Sequence, residues 1–202
     1  MKFYSNRELK KKGFDILGKN LEISKNVNFY NFKGVIGSNC RIDDFSILIG
    51  KINIGNNVHI GSHNLISSSK YGNSITISDY TGIGPKCYLS ASTEDYLAND
   101  ISNPTINKKF RKNIIMANIY IGKNVLVGAG TYIIPKKKDR NIIIGDNVSI
   151  GTKSIISESI SSNFIIFNES LYKNKKLHLK KKINFSQIKL EKLKCHRAPA
   201  GR

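Results

Sequence analysis

The chain has 202 residues, a length that suits one domain with terminal tails. No apolar stretch is long enough to span a membrane, the basic N-terminus lacks the apolar segment of a signal peptide, and three cysteines do not indicate a disulfide framework, so we predict a cytoplasmic protein. The formal charge of +19 suggests anionic partners, but the basic residues are dispersed and lack interleaved aromatic residues. We therefore predict no nucleic-acid partner. The charge is either a solvated basic surface or a means of attracting phosphorylated small molecules or an anionic membrane surface.

The N-terminal segment carries a helix signal. Ser5, followed three residues later by Glu8, matches a capping box, and Gly13 is a typical residue for the end of a short helix. We predict a helix over about residues 5–12, within an N-terminal cap of residues 1–16.

An apolar anchor residue recurs at every sixth position over most of the chain. Neither an α-helix nor an alternating strand keeps such a period, whereas the three short flats of a β-helix coil do. The anchors are Leu17, Ile23, Phe29, Ile36, Ile42, Leu48, Ile54, Ile60, Ile66, Ile77, Ile83, Leu89, Ile121, Val127, Ile133, Ile144, Ile150 and Ile156. Their number predicts about six coils in a domain of residues 17–162. An ordinary β-sandwich is the alternative.

Small residues occupy the position four after eleven of the eighteen anchors, as the narrow core of a triangular coil requires. They are Val27, Cys40, Ser46, Val58, Thr81, Cys87, Thr93, Val125, Thr131, Val148 and Ser154. Because Cys40 and Cys87 belong to this set, we predict that they are buried packing thiols. Gly and Asn fill the corners between flats, and we predict that they are required there because they tolerate positive φ.

The repeat is interrupted over residues 91–118, which contain the turn signal Asn103-Pro104. We predict a long loop extruded from the wall of the β-helix, and loops of this length in compact domains are often functional. Residues 163–202 form a basic tail without the repeat. The predicted fold is thus an all-β parallel β-helix with a short N-terminal helix, one extruded loop and a basic C-terminal tail.

The repeat units resemble those of a known family. Ile54-Gly-Asn-Asn-Val-His59, Ile121-Gly-Lys-Asn-Val-Leu126 and Ile144-Gly-Asp-Asn-Val-Ser149 are similar to units of the left-handed β-helix hexapeptide-repeat acyltransferases. The resemblance implies a left-handed coil, a homotrimer with active sites between subunits, and acyl-CoA as donor.

The extruded loop resembles a narrower group within this family. Its segments Ser92-Thr93-Glu94-Asp95-Tyr96, Ser102-Asn103-Pro104-Thr105 and Lys108-Lys109-Phe110-Arg111 are similar to those of sugar acetyltransferases from surface-polysaccharide gene clusters. Some of these proteins are assigned to nucleotide-linked 4-amino-4,6-dideoxy sugars. The resemblance implies acetylation of a sugar or sugar nucleotide in O-antigen, capsule or lipopolysaccharide synthesis. We assign contacts with this acceptor to His63, Tyr96, Asn103 and Arg111.

Two sets of residues are candidates for the group that takes the acceptor's proton. Many hexapeptide acetyltransferases carry a catalytic His in the loop, but here Glu94, followed by Asp95, occupies that position. His59 follows the inward Val58 and should face outward, and a neutral imidazole is a better base near neutral pH than a carboxylate. We predict His59 first, and Glu94 or Asp95 second. The alternatives are an interfacial His without a proton role and carboxylates that only cap the loop.

Contacts with acetyl-CoA, the expected co-substrate, are assigned to the coils after the loop. Gly128, Ala129 and Gly130 present backbone without bulky side chains to a pantetheine arm, with ordinary corner glycines as the alternative. Lys136 and Lys173 are candidates for the cofactor phosphates. The stretch ending at Lys173 lacks the Gly and Pro of the family's usual terminal segment.

Three other functions remain open at this level. A sugar O-acetyltransferase would act on a hydroxyl, which needs a stronger base than an amine does. A γ-type carbonic anhydrase would need three His per zinc, and His59 with His63 leaves the third ligand missing, so we predict no metal. A non-catalytic β-helix binding module would be compatible with the missing loop His.

Overall fold

The computed structural model of the chain describes residues 2–69, 72–94, 103, 105, 107, 113–167 and 176–179. Short strands dominate the described residues. They are β1 Phe14–Leu17, β2 Leu21–Ile23, β3 Asn28–Ile36, β4 Cys40–Ile42, β5 Ile47–Ile54, β6 His59–Ile60, β7 Leu65–Ser67, β8 Ser74–Ile77, β9 Gly82–Ile83, β10 Tyr88–Ser90, β11 Ser92–Thr93, β12 Ile115–Met116, β13 Ile119–Ile121, β14 Leu126–Val127, β15 Tyr132–Ile133, β16 Ile142–Ile144, β17 Ser149–Ile150, β18 Ile155–Ile156, β19 Phe164–Phe167 and β20 Lys176–Leu179. Among the described residues, no helix is long and apolar enough to cross a membrane.

The predicted N-terminal helix is present as α1, Asn6–Lys11. The Ser5 hydroxyl accepts a hydrogen bond from the Glu8 amide, and the Glu8 carboxylate accepts one from the Ser5 amide at 2.7 Å, which completes the capping box. A hydrogen bond from Lys25, together with those from Ser5, lowers the pKa of Glu8 to about 2. The side chain of Leu9 is fully buried in the main core, so the helix packs onto the β-helix.

The strands wind into a parallel β-helix with three faces. The first face contains β1, the C-terminal parts of β3 and β5, and β8, β13 and β16. The second face contains β2, β4, β6, β9, β14, β17 and β19. The third face contains the N-terminal parts of β3 and β5, and β7, β10, β15 and β18. We name the corners in chain order: the first corner joins the first and second faces, the second joins the second and third, and the third joins the third and first.

The core consists of the predicted anchors. Sixteen of the eighteen are buried, and Leu17 and Phe29 are partly buried against the same core. The small residues four positions later are buried as well, which confirms the prediction for Cys40 and Cys87. The prediction for Thr93 was wrong. Thr93 is only partly buried because the chain has already left the wall, and it pairs with Ile115 at the base of the loop.

The reason predicted for the corner glycines was also wrong. The repeat glycines have ordinary negative φ, and the positive-φ position of the first corner is taken mostly by Asn. The glycines are required instead because neighbouring coils approach closely. A Cβ on Gly37 would lie 2.6 Å from the carbonyl carbon of Gly55, and one on Gly128 would lie 2.5 Å from the amide nitrogen of Thr152.

Each break in the six-residue repeat after residue 60 falls at the third corner. Strands β3 and β5 cross this corner without interruption, whereas extra residues separate β7 from β8, β10 from β13, and β15 from β16. The largest insertion leaves through an antiparallel stem of β11 and β12, and Ala117 donates to the Ala91 carbonyl at 2.9 Å where the wall closes again. The long predicted loop therefore emerges at the third corner.

The parallel stack extends past residue 162. Strand β19 pairs in parallel with β17 and buries Ile166, and β20 then pairs antiparallel with β19. The first part of the predicted tail thus belongs to the second face.

Candidate active site

His59 lies on strand β6, in the middle of the second face. Its side chain points outward and is 54% exposed, as predicted from the inward position of Val58. Its neighbours in register on the same face are Arg41 in the preceding coil and Gly82 in the following coil.

A carboxylate fixes the orientation of the His59 ring. Nε2 of His59 lies 2.9 Å from Oδ2 of Asp43, and Nε of Arg41 donates to Oδ1 of Asp43 at 2.6 Å. Burial raises the pKa of Asp43, but the hydrogen bonds from Arg41 and His59 outweigh it and hold the pKa below its ordinary value. An ionised carboxylate can only accept, so Nε2 carries the hydrogen of this bond. In the neutral ring, Nδ1 is then the proton acceptor.

Gly82 leaves an opening beside His59. A Cβ on Gly82 would meet only Cδ1 of Leu126, at 3.6 Å, so neither coil packing nor backbone conformation requires glycine here. Glycine weakens a strand and often marks a site where a ligand approaches the backbone closely. The second face therefore presents an oriented imidazole next to a rung without a side chain.

His63, a predicted acceptor contact, lies on the second corner in the same coil as His59. It is exposed and has a φ of 58°, and its ring lies against that of Phe45, with 5.1 Å between the ring centroids. Phe45 occupies the same corner position in the preceding coil and is 55% exposed. The corner thus adds two exposed rings next to the face that carries His59.

Gly128, Ala129 and Gly130 also lie on the second corner, two coils further along. The amides of Gly128 and Gly130 donate to Ile150 and Pro85, so they already belong to the stacking of the coils. The amide of Ala129 has no acceptor among the residues that the structure describes, whereas its carbonyl accepts from Lys153 at 2.8 Å. Of the three amides, the one at Ala129 is therefore the one that coil stacking does not use as a donor among the described residues.

Of the predicted site residues of the extruded loop, Glu94 and Asn103 lie within the described residues. Glu94 is partly buried directly after β11, at the third corner, so one chain does not bring it together with His59 on the second face. Asn103 accepts from the amide and hydroxyl of Thr105, at 2.9 and 2.8 Å, which is a local turn. Asp95, Tyr96 and Arg111 lie outside the described residues.

The two lysines predicted to contact the cofactor phosphates are Lys136, at the third corner, and Lys173. Lys136 lines a shallow depression there, together with Lys137, Arg140, Asn141, Ser157 and Glu158. Lys173 lies outside the described residues. Within the described ranges, no three His, Cys, Asp or Glu side chains are grouped so that they could hold a metal ion.

The sequence analysis missed Asp43, Phe45 and Gly82 as site residues. Asp43 and Phe45 follow anchor Ile42, and Gly82 stands where most coils carry a larger outward residue. The residue 18 positions before His63 is Phe45, so the coil length contained the signal for that pair. The Asp43 contact depends on side-chain rotamers and leaves no repeat signal.

Comparison with known proteins provides the context for this site. No family model matches the chain. The chain is 32% identical over 163 residues to the dTDP-4-amino-4,6-dideoxy-D-glucose acyltransferase of Escherichia coli, an alignment that covers 78% of this chain and 80% of that protein.

Solved structures of AntD, an N-acyltransferase from Bacillus cereus, are similar over most of the chain. A single-residue variant in complex with dTDP and coenzyme A has a TM-score of 0.76 and 34% identity, and covers 89% of this chain and 91% of its own. The complex with dTDP and 3-hydroxybutyryl-CoA has a TM-score of 0.76 and 31% identity, and covers 89% and 90%. Another variant was solved with dTDP-4-amino-4,6-dideoxyglucose and coenzyme A, with a TM-score of 0.75, 31% identity, and coverage of 89% and 91%.

Proposed function

Because the chain belongs to the left-handed β-helix hexapeptide-repeat acyltransferases that act on sugars, we propose that it acylates the amine of a nucleotide-linked 4-amino-4,6-dideoxy sugar. The donor is a coenzyme A thioester, acetyl-CoA in our proposal. The E. coli relative is named for such an acceptor, and AntD is named as an N-acyltransferase. These names favour nitrogen over a hydroxyl as the acceptor atom.

The chemistry requires one bond formed, one bond broken and one proton carried from nitrogen to sulfur. The acceptor nitrogen attacks the thioester carbonyl carbon, an amide bond forms, and the C–S bond breaks to release coenzyme A. Nδ1 of His59 takes the proton lost by nitrogen and returns it to the leaving sulfur, while Asp43 holds the ring in position. Glu94 and Asp95 are the second candidates for this role. The exposed His59 beside Gly82 is the observation that carries the proposal.

We expect the Gly82→Val variant to lose turnover without losing stability. Valine favours a strand, and its side chain would stand in the opening beside His59, where only Cδ1 of Leu126 lies within reach of a Cβ. Turnover should fall roughly tenfold or more, because small displacements of a reacting group are costly. Steady-state kinetics and thermal unfolding measure the two effects. The control is Thr76→Val, a near-isosteric change on the first face, which should retain activity.

We also propose that the protein is a homotrimer. The third face carries a ladder of outward apolar residues, in register: Ile47, Leu65, Tyr88, Tyr132 and Ile155. Tyr132 and Ile155 are 48% and 61% exposed, and such a contiguous patch is typical of a protein–protein interface. The third face lies between the second corner, with His63, and the third corner, from which the loop leaves. A second copy packed against the third face would close one groove beside His63 and another beside the base of the loop.

Cytoplasmic acylation of an activated sugar in O-antigen, capsule or lipopolysaccharide assembly is the setting that we propose. Its partners are the sugar nucleotide and the acyl donor, and the charge of +19 favours such anionic ligands. A weak association with an anionic membrane surface is a further part of the proposal.

Mass spectrometry of products tests the function directly. The purified chain should convert dTDP-4-amino-4,6-dideoxyglucose and acetyl-CoA to an N-acetylated product and free coenzyme A. Light scattering of the same sample should give three times the 22.6 kDa mass of the chain. Acylation of neutral sugars alone would contradict the acceptor class, and a monomer with full activity would contradict the shared site.

A further inference from the structure

The first and second corners of the β-helix use different residues at the same backbone position. In each coil the first corner has one residue with positive φ: Asn20, Asn39, Asn57, Tyr80, Asn124, Asn147 and Asn163. Asparagine tolerates this conformation. Several of these amides also form a ladder, for example from Nδ2 of Asn124 to Oδ1 of Asn147 at 2.9 Å. Apart from Tyr80, this corner has the residue type that coil stacking alone would select.

The second corner carries residues that stacking does not explain. Its positive-φ position is occupied by Phe45, His63, Lys86, Gly130 and Lys153 along successive coils, with φ between 55° and 69°. A bulky residue such as Phe in this region is a steric outlier. Strain of this kind persists where it serves a site. The first corner has Asn at six of these seven positions and the second at none of its five, so the second corner departs from the residue type that suits the backbone.

Two aromatic rings on this edge, Phe45 and His63, form what we call the platform, and a cationic side chain, Lys86, follows them in the next coil. Phe45 is 55% exposed, its ring lies 5.1 Å from that of His63, and both rings face solvent at the corner. Lys86 is exposed in the next coil. The two nearby carboxylates already have partners: Asp43 is hydrogen-bonded to Arg41 and His59, and Asp44 accepts from Ser24 and Asn26.

We propose that this edge binds the nucleoside diphosphate part of the acceptor, an inference that rests on the proposed function. The base stacks on the Phe45–His63 platform, and Lys86 faces the diphosphate. Neighbouring coils are about 4.8 Å apart, so Lys86 lies roughly 10 Å from Phe45, a distance that an extended nucleoside diphosphate can cover. Lys86 follows Gly82 in the same coil, on the corner that borders the second face. The sugar would thus reach the opening beside His59.

Binding of dTDP to the full chain, measured by calorimetry, tests the platform. Phe45→Asn should weaken binding roughly tenfold, because aromatic stacking on a base is lost. The melting temperature of this variant should be equal to or higher than that of the wild type, since Asn suits the backbone better. Phe45→Tyr keeps a ring and should retain the wild-type affinity. Lys86→Asn should weaken binding of both dTDP and inorganic pyrophosphate.

Tyr80→Asn is the matched control, because it removes an aromatic residue from the same backbone position on the first corner. Its affinity for dTDP should equal that of the wild type. Equal affinity in Phe45→Asn, or a lower melting temperature, would overturn the platform but leave the proposed function intact. Absence of dTDP binding to the wild type would overturn both.

Discussion

We expect the His59→Ala variant to turn over the amino-sugar acceptor at least about tenfold more slowly than the wild type, with its fold intact. The imidazole is 54% exposed and outside the core, so its loss should cost little stability. What is lost is Nδ1, the nitrogen that the Asp43 contact leaves as proton acceptor. Turnover at saturating acetyl-CoA and thermal unfolding measure the two effects.

The loop carboxylates provide the comparison for this result. A Glu94→Gln/Asp95→Asn double variant removes both of the other candidate bases and leaves His59 in place. If turnover falls in the double variant and not in His59→Ala, a loop carboxylate accepts the proton. If turnover is unchanged in both, neither assignment holds, although the fold and the family are unaffected.

The fold could be predicted because each coil repeats the same packing problem. Successive coils present the same narrow core, so residues such as Ile60, Ile83 and Val127 lie in register on one face and are buried. The phase is lost wherever residues are added at the third corner, which is why the sequence indicated where the wall opens. Local signals were equally effective at the helix, where Ser5 and Glu8 form the capping box.

The role of the glycines could not be predicted from the sequence. A six-residue repeat shows that glycine recurs, but not whether backbone conformation or contact with the next coil demands it. A Cβ on Gly128 would lie 2.5 Å from the backbone of the next coil, whereas a Cβ on Gly82 would make only an ordinary contact of 3.6 Å with the Leu126 side chain. Only coordinates separate a glycine that permits stacking from one that leaves room for a ligand.

The site itself was predicted only in part for a similar reason. The outward direction of His59 follows from the phase of the repeat. Its contact with Asp43 and the ring pair of Phe45 and His63 depend on side chains that meet across different coils. The spacing of 18 residues between Phe45 and His63 is one coil and could have indicated their pairing, whereas the Asp43 contact leaves no periodic signal in the sequence.

Replacing Gly128 with valine should destabilise the protein by about 3 kcal/mol or more, the upper range for inserting a side chain into a packed interior. Its Cβ would lie 2.5 Å from the Thr152 amide nitrogen and 2.8 Å from the Ile150 carbonyl oxygen, and neither atom can move without displacing the next coil. The hydrogen bond from the Gly128 amide to that carbonyl, at 2.8 Å, would be distorted as well. For a chain of this size we expect the melting temperature to fall by roughly 6–12 °C.

Gly82→Val is the control for the melting temperature of Gly128→Val, because it makes the same substitution at a glycine that coil stacking does not require. Its melting temperature should stay close to that of the wild type, since a Cβ there meets only Cδ1 of Leu126 at 3.6 Å. Coenzyme A affinity adds the second readout. A Gly128→Val protein with wild-type stability and weakened binding would show that this glycine borders the cofactor rather than the next coil. A large loss of stability would instead leave the Ala129 amide as the backbone donor at this corner for the pantetheine arm.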